Sequence, residues 1–218
     1  MDTSASLSAG FSRTPARGWA VALLSRFQVS SVALISFSFG IFLPFIRQDL
    51  RLTPFEVGLL QGVWWVTSAL LSLPCSVWLS RFRPGPLVLV SLALGLPFLL
   101  LQGLAQSFLV LLLARFCFIG CHVISTPARP LILQQWVAPR QYAQVNAVGL
   151  SQHSVLLALA ISTSALIITA VGSWRLAYVL LAGFFLMQTI AWAVVARDSE
   201  APVRNLQQVL RAHQESPL

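Results

Sequence analysis

FQVSSVALISFSFGIFLPFI, from Phe27 to Ile46, is twenty residues long and carries no charge. At a helical rise of 1.5 Å per residue such a stretch reaches about 30 Å, the thickness of a bilayer's hydrocarbon core. Further charge-free windows run from Val57 to Ser80, Pro84 to Ala114, Gln141 to Trp174 and Leu176 to Ala196. One more apolar stretch, about Phe108 to Leu133, is interrupted only by Arg115 and Arg129. Backbone groups cannot be left unbonded in lipid, and runs this long lack the alternation of barrel strands. The expected fold class is therefore an all-α polytopic membrane protein with six transmembrane helices.

The whole composition agrees with that reading. Of the 218 residues 57% are apolar and 9% charged, with a mean hydropathy of +0.80, whereas a soluble domain is about one-quarter charged. A water-soluble enzyme is excluded on those grounds. The net charge of +8 is carried by arginines separated by apolar runs, so it reads as membrane topology and not as a nucleic-acid surface. Cys75, Cys117 and Cys121 all fall within apolar segments and imply neither a disulfide framework nor a metal site. No cofactor motif is present, and the acids, Asp2, Asp49, Glu56, Asp198, Glu200 and Glu215, lie outside the helix centres. Arg13, Arg17 and Arg26 ahead of an apolar run imitate a signal peptide, but the many later segments favour an uncleaved first helix.

Arginine counting gives an orientation. With a cytoplasmic N-terminus, that side receives Arg13, Arg17, Arg26, Arg81, Arg83, Arg129, Arg140, Arg197, Arg204 and Arg211, and the other side Arg47, Arg51 and Arg175. The positive-inside rule then places both termini in the cytoplasm, and the expected location is a bacterial inner membrane. Trp78, Trp136, Trp174 and Trp192 stand near helix ends, at headgroup level. Thr53 is positioned to cap a helix beginning at Pro54. Residues 1–24 are expected to be a disordered cytoplasmic N-terminus and residues 25–198 a six-helix domain. Residues 199–218 form a cytoplasmic tail, a short interfacial helix or the start of a central linker.

Arg115, His122 and Arg129 are the residues that hydrocarbon tolerates least. Their seven-residue spacing places them on one helical face, drifting by about 20° per step, with Thr126 beside it. Such a face points to a bundle interior or a water-filled cavity. The plainer alternatives are snorkelling for Arg129, a structural clamp for Arg115 and a packing role for His122. Gln61 and Trp64 on the second segment, with Gln152 and His153 on the fifth, complete the candidate substrate path. Ser162, Thr163, Ser164 and Thr169 bond either a solute or their own preceding helical turn.

The order of several local features resembles the N-terminal half of the major facilitator superfamily over roughly Ser25 to Asp198. They are Gly40 through Pro44, the turn Leu50-Arg51-Leu52-Thr53-Pro54, Gly58-Leu59-Leu60, Arg115, the junction Trp136-Val137-Ala138-Pro139-Arg140, and Ser173-Trp174-Arg175. The resemblance implies secondary transport by two six-helix halves rocking about a central site. It matches Ser80 to the aspartate and Arg81 to the arginine of the family's inner loop, and Arg83 to the next glycine. Ser80, Arg81, Arg83, Arg129 and Arg140 are accordingly the candidate inner gate.

The function expected from these residues is that of a half or fragment of a secondary transporter for a small polar or anionic solute. Its implied partners are the lipid bilayer, the solute, and a second six-helix half or a second copy. Truncation, a split gene and a homodimer all remain open. The competing reading is a non-transport membrane interaction or assembly protein derived from a transporter half.

Overall fold

The computed structural model describes residues 13–79 and 82–196. Seven α-helices follow one another among them: α1 (Ala16–Leu50), α2 (Pro54–Leu79), α3 (Pro84–Leu104), α4 (Phe108–Ser125), α5 (Ala128–Trp136), α6 (Tyr142–Val171) and α7 (Trp174–Val195). A single 3₁₀ turn, Pro139–Gln141, precedes α6. Since α4 and α5 are two pieces of one crossing, six helical spans are long and apolar enough to cross a membrane. The architecture is the all-α, six-span bundle expected from the charge-free windows.

The first helix starts at Ala16, so residues 16–24, expected to be disordered, are helical. The cause is tertiary contact. Val21 and Ala22 are buried, the latter against Val137 and Val145. Thr14 donates its backbone N–H to Gln141 and accepts from the Ala138 N–H through its hydroxyl. At Gly18 an added Cβ would stand 2.3 Å from the Trp136 carbonyl oxygen, so only glycine allows this approach. The α1 terminus thus braces the junction between the fourth and fifth spans.

Helix boundaries follow local chemistry. Leu52 donates its N–H back to the Arg47 carbonyl at 3.0 Å, across an Arg51 held at φ 52°, closing α1 in a left-handed stop. Thr53 and Glu56 then form a reciprocal cap: Glu56 accepts from the Thr53 N–H at 2.8 Å while Thr53 accepts from the Glu56 N–H at 3.3 Å. The uncharged window from Pro84 to Ala114 divides at Ala105–Ser107, where Ser107 accepts from the Val110 N–H and starts α4. Thr126 and Pro127 break the fourth span, and the Thr126 N–H reaches back only three residues, to Val123.

Helix α3 packs mainly on α4 and α7, α1 on α6 and α7, and α2 on α4. Consequently the second and fifth spans are the least enclosed, with 17% of their apolar windows buried against 50% for the fourth. Where α1 ends and α7 begins, Asp49 accepts from Arg175 and from Trp174 Nε1, and Arg175 also donates to the Ala105 carbonyl. That cluster ties together the ends of α1, α3 and α7. Asp198, Glu200 and the expected interfacial helix lie outside the described residues.

Candidate functional site

The polar stripe divides into two environments. Arg115, 4% exposed, donates through Nε to the Leu60 carbonyl at 3.0 Å, and its guanidinium lies 3.6 Å from the centre of the Phe39 ring. A carbonyl and an aromatic face replace part of the water this cation has lost. The enclosed position makes Arg115 a tie between α4, α2 and α1. His122 and Arg129, further along the same span, are less enclosed.

Arg129 Nη2 lies 3.2 Å from His122 Nε2 and 3.4 Å from Nδ1. The Trp64 ring is 5.9 Å from the His122 ring and tilted by 31° to it. All three side chains are half-buried. The break at Thr126–Pro127 does not part His122 from Arg129, because α5 restarts at once. A cavity of about 10 Å³, room for one water, lies behind His122 between Gln28, Ser91, Cys121, Phe118 and Phe185. Gln28 donates to Ser125 at 3.5 Å and leaves its own buried Oε1 without a partner.

The remaining candidates separate by location. Thr126 is exposed at the break, and Gln61 is exposed on α2. His153 bonds Ser30 at 2.9 Å in the α1–α6 contact, while the neighbouring Gln152 has a buried Oε1 with no partner. Ser162, Thr163, Ser164 and Thr169 all donate to carbonyls of their own preceding turn, and Ser164 also meets Ser38 across to α1. Arg83 and Arg140 are exposed at helix starts, whereas Arg129 points to His122. Ser80 and Arg81 lie outside the described residues.

Two residues, Arg26 and Asn146, were missed by sequence reasoning. Arg26, counted there as an inner flank, lies well within α1 and donates through Nη2 to Asn146 on α6. Its stem rests on Gly149, where an added Cβ would stand 2.7 Å from Arg26 Cγ and 3.3 Å from Nε. The available signal was Pro15: a proline before a helix start puts Arg26 nearly three turns inside.

A family model described as Major Facilitator Superfamily matches residues 27–214. The chain belongs to that superfamily. None of the curated proteins matches it in sequence. Among solved structures it resembles a bacterial homolog of the human lysosomal transporter Spinster, described as inward-facing and unoccupied, with a TM-score of 0.68 at 16% identity. The similarity covers 84% of this chain and 44% of that transporter, so the chain spans less than half of its length. At this identity the likeness establishes the fold alone. A superfamily member with these spans is an integral membrane protein of a transporter family.

Proposed function

We propose that this chain acts as one half of a secondary transporter for a small polar or anionic solute, working by alternating access against a second six-helix half or a second copy. The observation carrying the reading is the His122–Arg129–Trp64 group. A cation, an imidazole and an aromatic plate, each half-buried, meet within spans where polar groups are costly. Arg129 attracts the solute, His122 bonds it, and Trp64 covers it. Arg115 holds α2 and α4 in register beneath that surface. Both termini face the cytoplasm of a bacterial inner membrane in this reading, supported by ten arginines on that side against three.

The test is counterflow in proteoliposomes containing this chain with a complementary six-helix half, across radiolabelled organic anions, sugars, amino acids and cations. Flux of an anionic or neutral polar solute is expected, falling about tenfold or more in Arg129→Ala through loss of a charge-assisted bond. Exclusive flux of cations would overturn the solute class. Undiminished flux in both Arg129→Ala and His122→Ala would remove the proposed site.

A further inference from the structure

We infer that one water molecule bridges His122 to Gln28 in the cavity between α1, α3, α4 and α7, and that Gln28 is thereby a positioning residue that fixes which nitrogen His122 turns to the solute. The inference rests on the transporter reading of His122 and specifies how its ring is presented. Hydrogen positions follow from the partners. Ser125 gives its single hydroxyl hydrogen to the His122 carbonyl at 2.8 Å, so towards Gln28, 3.5 Å away, it can only accept. That assigns Gln28 Nε2 to Ser125 and leaves Oε1, an acceptor, as the buried end without a partner among the described residues. Gln28 is 1% exposed and lines the cavity together with Ser91 and His122. Ser91 likewise gives its hydrogen to the Cys121 carbonyl at 2.7 Å and keeps its lone pairs.

The His122 ring is fixed from its other side. A guanidinium only donates, so the imidazole nitrogen that meets Arg129 Nη2 is bare. Nε2 is the nearer at 3.2 Å, against 3.4 Å for Nδ1, which places the ring's one nitrogen-bound hydrogen on Nδ1. The cavity, about 10 Å³, admits one water. That water accepts from His122 Nδ1 and donates to Gln28 Oε1 and Ser91 Oγ, about the number of bonds usual for a buried water. It relieves Gln28 of an unbonded oxygen in the core, which carries the desolvation cost of the lost bond. When a solute takes up Arg129, the bare Nε2 remains as an acceptor, which suits a solute carrying a hydroxyl or amine donor beside the group that Arg129 holds.

The experiment is long-range proton–nitrogen correlation NMR on Met1–Leu218 carrying isotope-labelled histidine, in detergent at neutral pH, with the His122 signals identified by their loss in His122→Gln. A ring protonated on Nδ1 and bare on Nε2 is expected, with a cross-peak from the Nδ1 proton to bound water. Gln28→Met, close in shape but without the amide, should move the two nitrogen shifts towards each other as the second tautomer becomes populated. Gly95→Ala should do the same while leaving every polar group in place. Its Cβ would stand 3.5 Å from Phe185 and 3.7 Å from Phe118, ordinary contact, between two rings that border the cavity. Gly183→Ala, where nothing lies within 4 Å, should leave the spectrum unaltered.

Circular dichroism and gel filtration establish folding of every variant. A His122 ring protonated on Nε2 or on both nitrogens, the lack of a water cross-peak, or nitrogen shifts unchanged in folded Gln28→Met and Gly95→Ala overturns the inference. The spectrum needs no flux, so the two readings fail separately. The expected spectrum without counterflow removes the transporter reading, whereas counterflow that persists with the other tautomer removes only the role of Gln28 and its water.

Discussion

The stem of Arg26 lies across Gly149, and a Cβ added there would come within 2.7 Å of Arg26 Cγ. Helices α1 and α6 therefore meet over a glycine and a long cation, and the same contact presents the guanidinium to Asn146. Replacing Gly149 by Val should destabilise the bundle by about 1–3 kcal/mol, the usual cost of overpacking. Gly149→Ala should cost less, because the flexible Arg26 stem can yield. Thermal melting in detergent checks the order, and Val melting no lower than Ala would contradict this packing.

Arg115 and Arg129 should separate stability from transport. Truncating the enclosed Arg115 to Ala leaves a cavity beside Phe39 and the Leu60 carbonyl, with an expected loss of about 2–5 kcal/mol. Arg129→Ala removes a half-buried charge beside His122 and should change melting much less while lowering flux. Equal melting of the two variants would refute this division.

The Thr53–Glu56 cap gives a more local expectation. Thr53→Ala removes the hydroxyl that accepts from the Glu56 N–H, and should cost about 1 kcal/mol. Ser107→Ala at the start of α4, where the corresponding contact is 3.5 Å, should cost no more. Paired denaturation curves measure the difference.

Asp49→Asn should lower stability by less than about 1 kcal/mol, because the Arg175–Asp49 pair is substantially exposed. The loss should shrink in 1 M salt, at a Debye length of about 3 Å. A large, salt-independent loss would show that the pair organises α1, α3 and α7 beyond its Coulomb attraction.

Orientation is testable with single cysteines at positions 6, 173 and 216, replacing serines in a variant lacking Cys75, Cys117 and Cys121. A membrane-impermeant thiol reagent added outside intact cells should label only position 173. External labelling at positions 6 and 216 with 173 protected would reverse the topology.

The amino-acid sequence by itself determined the six crossings, the helical class and the candidate polar residues. The cause is the cost of unbonded backbone and charge in hydrocarbon, which leaves long uncharged windows as a direct record of the spans. Thr53 and Pro54 announced the second helix because their capping chemistry is local. By contrast, the seven-residue spacing grouped Arg115 with His122 and Arg129, yet only packing could place Arg115 against Leu60 and Phe39. Likewise His153 bonds Ser30, 123 positions away, which helical periodicity cannot encode. Arg26 looked like a flanking charge until α1 began at Ala16, held there by Gly18 against Trp136. Spans are set by each segment's transfer free energy, whereas the joining of Arg26 to Asn146 depends on contacts between segments, so only the tertiary structure decided it.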